Sequence, residues 1–314
     1  MRRRQVLAAA GAGLGSGCLG PLRSAGEDTT PDRASDADAE PWPMYGSGVA
    51  NAGHVPGGTG PAGGVTERWR FETGAEGGSS PAVVDGTVYV GSADGAVYAL
   101  DAAGGERLWR FGTDDAVQSS PAVVEETVYV GSDDGAVYAL DAADGHPRWT
   151  LGTLSGRVSS PAVVDGGFYI GNNAGRVSTV EAATGDRGWT YRTGGAVFSS
   201  PAVADGTVYV GSDDGTVYAL DTTEGAVEWS FDLDSPVFSS VAVVDGTGYV
   251  GSLGGTVYAV AVDEGEKRWA YEVGDAVFSS PAVVDGTVYV GSTDGAVYAL
   301  DAADGTRQWS LGTN

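Results

Sequence analysis

The chain has 314 residues, with 42 acidic against 17 basic side chains, a formal charge of −25 and Lys267 as its one lysine. That balance excludes nucleic-acid binding, which needs a basic surface, and the single cysteine, Cys18, excludes a disulfide framework. A soluble domain stays dispersed with a net charge of magnitude roughly 2–8, so an excess this large is self-repulsive until salt near 1 M shortens the Debye length to about 3 Å.

Met1–Gly20 reads MRRRQVLAAAGAGLGSGCLG. Its apolar run is too short and too glycine-rich to cross a bilayer of ~30 Å as a helix. Residues 1–18 read as an export signal, and Arg2-Arg3 resembles the twin-arginine type. Leu14-Gly15-Ser16-Gly17-Cys18 resembles a lipoprotein processing box, with leucine one place further from the cysteine than usual. Cys18 is therefore the candidate lipid-attachment residue; the plainer reading is an incidental residue in a discarded signal. Residues 19–41 are polar, acidic and almost without large apolar side chains, so they read as a disordered acidic tether.

The globular part spans 42–314 and opens on Trp42-Pro43-Met44-Tyr45, followed by a glycine-rich stretch. Thr66–Thr73 (TERWRFET) reads as a lone strand carrying Trp69. From Ser79 onward a unit of 40 residues recurs six times without insertion or deletion, with Ser-Ser pairs at 79, 119, 159, 199, 239 and 279 and tryptophans from Trp109 to Trp309. Each unit holds three short Val- and Tyr-rich runs, PAVV, TVYVG and AVYAL, and a fourth around the tryptophan. Asp-Gly and Gly-Gly pairs between them supply the positive-φ positions of tight hairpins. Four antiparallel strands at a period near 40 make a propeller blade. The expected fold is an all-β propeller of six complete four-stranded blades plus a partial seventh from the N-terminal strand. Because copy six already carries its own outer strand, Thr66–Thr73 is surplus to six. Either it competes with that strand, or Trp69 fills the gap between blades six and one, with Trp42 and Tyr45 covering it; the second arrangement is the expected one.

The tryptophan is never followed by Asp, and no Gly-His opens a unit, which argues against the WD40 type. The runs Ala99–Trp109, Ala219–Trp229 and Ala299–Trp309 (ALDAADGTRQW in the last) resemble the tryptophan-docking motif of quinoprotein-like (PQQ-like) propeller repeats. The resemblance runs from Trp42 to the C-terminus and implies tryptophans packed between adjacent blades. It also implies a comparison with PQQ enzymes, whose cofactor lies over the axis beside calcium, a catalytic Asp and long insertions. Here the repeats are of equal length and adjacent cysteines are absent, so no cofactor and no enzyme activity are expected. Signal, cysteine, tether and uninterrupted propeller are similar in plan to the propeller lipoproteins of outer-membrane assembly in Gram-negative bacteria. The acidic, lysine-poor composition resembles that of haloarchaeal exported proteins.

Departures from the repeat mark candidate sites. Copy three has Ala174 for the turn aspartate and Ser178-Thr179-Val180-Glu181 for YALD; copy five has Val241, Leu253-Gly254 and Ala261. Just before Ser-Ser stand Gly78, Gln118, Val158, Phe198, Phe238 and Phe278, and Arg157 takes a place that is valine in copies two, four, five and six. Phe198, Phe238 and Phe278, with Arg157, are the candidate binding residues; the other reading has these rings plugging the channel or packing between blades. The Asp-Gly turns (Asp94, Asp134, Asp214, Asp294) are explained by hairpin chemistry and lack the bidentate Glu of a calcium loop. His54 and His146 have no ligand partners nearby, so no metal site is expected, and no G-x-S-x-G elbow is present. The chain reads as a monomeric non-enzymatic scaffold for a protein or peptide, anchored at the cell surface on the outer face of the cytoplasmic membrane. The alternative is a quinone (PQQ)-binding redox or sensor protein.

Overall fold

A computed structural model describes residues 44–53, 65–75, 78–152 and 156–313. Arg2, Arg3, Cys18, the tether, Trp42 and His54 lie outside them. The described residues form 24 strands in six separate four-stranded antiparallel sheets, each paired in chain order. In the first blade the strands are Ala82–Val84, Thr87–Ser92, Ala96–Asp101 and Arg107–Gly112, innermost to outermost. The six sheets agree with the expected blades. No described helix is long and apolar enough to cross a membrane.

Local chemistry sets each blade. The first hairpin places two residues at positive φ, Asp85 at 48° and Gly86 at 72°, the requirement of a type I′ turn. Copy two makes the same turn with Glu125 and Glu126, which holds a β-strand hairpin open at two non-glycine left-handed residues. The second turn is closed by its aspartate: Asp94 Oδ2 accepts the Tyr98 hydroxyl at 2.6 Å and the Gly74 N–H at 2.8 Å. Thus the turn carboxylates are engaged by the turn itself and by the preceding loop. Between the third and outer strands the register shifts by one, so that Trp109 faces Ala99 while Arg107 faces Leu100.

Blades join through the tryptophan. The indole N–H of Trp109 donates to the carbonyl of Ala142 in the next blade at 2.9 Å, and Tyr89 donates its hydroxyl to the same oxygen at 3.2 Å. The ring lies on Gly145, whose φ of 74° and missing Cβ leave room for it; a Cβ there would come within 2.7 Å of the indole. The same bond recurs from Trp149, Trp189, Trp229 and Trp269. The Ser-Ser pair has two jobs. Ser119 Oγ accepts the Gly131 N–H within its own blade, while the second serine accepts an N–H from the blade before, as Ser120 does from Ser80 at 2.9 Å.

Thr66–Thr73 pairs with no strand among the described residues, yet Trp69 docks on blade one as the other tryptophans dock. Its N–H donates to the Ala102 carbonyl at 2.9 Å, its ring lies on Gly105, and Phe71 meets Tyr98 edge-on at 5.4 Å. Trp309 has no such acceptor among the described residues. It is 44 % exposed against 8 % for Trp269, and Leu311 beside it is 62 % exposed. The outward face of blade six is therefore an uncovered seam.

Candidate functional site at the channel mouth

Against the expectation for Tyr45, residues 44–53 do not cover the Trp69 strand; they run along the inner strands of blades four, five and six. The carbonyls of Val49, Ala50 and Ala52 accept the N–H groups of Val203, Val243 and Val283, on the inner strands of blades four, five and six. Asn51 is buried and donates its amide to the carbonyls of Ser200 and Pro201 at 3.2 and 3.0 Å. Tyr45 donates its hydroxyl to Ser280 Oγ at 2.6 Å, and Met44 is buried in the cluster formed by blades two and three. Inner-strand N–H groups that would otherwise face the channel are satisfied by the chain's own backbone. This segment reads as loop from sequence because its partners lie from 149 to 235 residues away.

The positions just before Ser-Ser ring the mouth of that channel. Phe198 stacks on Phe238 at 4.9 Å and Phe238 meets Phe278 edge-on at 5.8 Å. The guanidinium of Arg157 sits 5.3 Å from the centroid of the Phe198 ring, within cation–π range. All four candidate side chains therefore meet in one row. None of the three phenylalanines belongs to a buried core cluster, and exposure rises to 54 % at Phe278, on the seam side. The three rings contact one another across blades four, five and six. Tyr45 and Asn51 bond residues two or three places along from Phe278 and Phe198, so the channel segment backs the row.

Copy three departs from the sequence alignment. Val158, aligned with the phenylalanines, instead drops into the valine site: it is 1 % exposed and lies over Gly131 as Val197 lies over Gly171. The backbone has slid by one residue, shown by the Asn173 N–H bonding the Arg157 carbonyl. The buried pocket takes the valine and releases the arginine, because an unpaired guanidinium is far costlier to bury than an aliphatic group. Arg157 thus escapes the valine site that its sequence position suggested and turns to Phe198.

Two residues of the mouth were not singled out by sequence reasoning as a pair. Gln118 donates its amide to Asp133 Oδ2 at 2.6 Å, while Asp133 Oδ1 is buried without a partner. Burial raises the Asp133 carboxyl above the ordinary aspartate value, against the opposing pull of Gln118 and of the Arg157 charge. A carboxylate closing a turn is common in this repeat, which hid this one; its neighbour Asp134 does the turn's work.

A family model described as outer membrane protein assembly factor BamB matches residues 58–192, 152–241 and 229–314. The chain belongs to this family. Among solved structures it is similar to BamB from Moraxella catarrhalis, with 23 % identity, TM-score 0.65 and coverage of 74 % of this chain and 72 % of that one. It is also similar to the computationally designed Ika8 protein, at 20 % identity and TM-score 0.72 over 79 % and 78 % of the two chains. A third neighbour is the quinohemoprotein alcohol dehydrogenase ADHIIG from Pseudomonas putida HK5, at 17 % identity and TM-score 0.64 over 74 % of this chain but only 58 % of that one. At these identities the structures establish the fold alone. No curated protein matches in sequence.

The row offers three phenyl rings and one guanidinium, and among the described residues no group of three His, Cys, Asp or Glu side chains could hold a metal ion beside it.

Proposed function

We propose that the chain is a membrane-tethered extracellular scaffold that holds a protein or peptide partner across the row Arg157–Phe198–Phe238–Phe278. The observation that carries this reading is a row of contacting aromatic rings, partly buried at Phe198 and Phe238 and exposed at Phe278, backed by the protein's own segment. Exposed aromatics clustered on one face supply apolar contact at low entropic cost, and Arg beside them adds a directional donor. Membership of the BamB family supports a protein rather than a small-molecule partner. Export and anchoring through Cys18 go with it. In the Cys18→Ser variant the protein should leave the membrane fraction, and unchanged association would defeat the anchor. The acidic surface is read as an adaptation to molar salt.

The test of the binding face is selection of displayed peptides on the wild-type propeller and on the triple variant Phe198→Ala, Phe238→Ala, Phe278→Ala. Peptides enriched by the wild type should be lost by the variant at unchanged Tm. Enrichment of the same peptides by both proteins would remove the row from the reading, and a collapse of Tm would make it structural.

A further inference from the structure

Blade three lacks a feature that blades one, two, four and six share. In those blades a turn aspartate, Asp94, Asp134, Asp214 or Asp294, accepts the hydroxyl of a tyrosine four residues on and an N–H of the loop before the blade. The tyrosine ring also meets the outer strand of the previous blade, as Tyr138 meets Phe111 at 5.2 Å. In blade three the aspartate is Ala174 and the tyrosine is Ser178, so a carboxylate and a ring are both gone from the interface with blade two. Asn172 takes over the turn itself, its Oδ1 accepting the N–H groups of Ala174 and Arg176 at 3.0 Å each.

What remains is a shallow recess that runs out into solvent, lined by Ile170, Gly171, Asn172, Arg176, Ser178 and Arg187. Arg176 replaces an alanine or threonine of the other copies, and its guanidinium forms no ion pair or hydrogen bond among the described residues. Arg187 spends one nitrogen on the Gly152 carbonyl of blade two at 2.8 Å and forms no ion pair among the described residues. In a chain with 42 acidic side chains against 17 basic ones, two guanidinium groups on one recess with no ion pair among the described residues are a departure that charge balance alone does not produce. Guanidinium groups bind carboxylate and phosphate through directed pairs of N–H donors.

We propose that this recess of blade three, whose Arg187 reaches blade two, binds a small oxyanion, a carboxylate or a phosphate group, held by Arg176 and Arg187. The Ser178 hydroxyl borders the bound group. This site does not depend on the aromatic row.

The test is calorimetric titration of the purified propeller with inorganic phosphate and, separately, with acetate, at constant ionic strength set by NaCl. The wild type should bind at least one of them saturably. A phosphate response alone assigns a phosphoryl ligand, an acetate response alone a carboxylate, and both responses a general oxyanion site. Loss of a charge-assisted bond costs about 1.5–3 kcal/mol, so Arg176→Ala should weaken binding roughly ten- to hundredfold. The double variant Ala174→Asp, Ser178→Tyr rebuilds the repeat's own carboxylate and ring. It should fold at least as stably and bind neither probe, which keeps the test intact if Arg176→Ala misfolds. Absence of saturable binding to the wild type, or equal binding by the double variant, overturns the site and leaves Arg176 as a filler for the missing tyrosine.

Discussion

Trp269 and Trp309 occupy the same place in the same repeat, and their surroundings could hardly differ more. Trp269 lies on Gly305, bonds the Ala302 carbonyl and is 8 % exposed; Trp309 finds no acceptor among the described residues and is 44 % exposed. The residue and its strand are equivalent in the two blades. What differs is whether a following blade is there to receive the ring. A repeat blade is thus only half of a structural unit, and its apolar face is completed by its neighbour. At the other end of the array Trp69 shows the converse: a segment paired with no strand is held in place by the receiving blade.

Removing residues 42–73 is the harshest way to break this comparison. It takes away both Trp69 and the segment that satisfies the inner strands of blades four, five and six. The variant should be unfolded, or aggregate through exposed blade edges. Circular dichroism and light scattering decide it; a monomer of undiminished Tm would mean that six blades are sufficient alone.

Next in size is the pair of tryptophan truncations. Trp269→Ala should cost about 3–5 kcal/mol, as for large core aromatics, and Trp309→Ala less than about 1 kcal/mol, as for surface positions. Denaturant midpoints at equal m-value measure the difference. Equal losses would show that the seam is covered in solution.

A finer comparison asks whether Trp69 is held as firmly as Trp269. Gly105 and Gly305 have φ of 79° and 74°, and a Cβ on either would approach the ring to 2.6 and 2.7 Å. Alanine at each combines left-handed strain with a clash and should cost about 1–3 kcal/mol. A neutral Gly105→Ala beside a costly Gly305→Ala would mean that the Trp69 segment detaches freely.

The smallest effect concerns pH at an interface that is covered. Tyr218 packs against Tyr191 of the previous blade, and burial together with the Asp214 carboxylate pushes its hydroxyl from 10.0 up to about 12. A raised folded value favours the protonated phenol, so its contribution is complete below pH 10 and is lost as pH climbs toward 12. Thermal melts of Tyr218→Phe should show a flatter decline across that window than the wild type. An identical decline would assign the alkaline loss to other groups.

The amino-acid sequence by itself determined the blade: strand number, hairpin positions and outer tryptophans follow from alternation of period two, Asp-Gly turns and a rigid 40-residue repeat. These are local properties, decided within a few residues by backbone sterics and side-chain alternation. The six copies are legible for that reason, and so was the alignment that put three phenylalanines at one level. Only the tertiary structure decided that Tyr45 and Asn51 reach Ser280 and Ser200, because those bonds join residues 235 and 149 positions apart. It also decided the one-residue slip that buries Val158 and frees Arg157, a choice made by a pocket over Gly131 that no neighbour in the chain encodes. The uncovered face of Trp309 belongs to the same class: burial is a property of what a blade packs against, and the repeat specifies only the surface it offers.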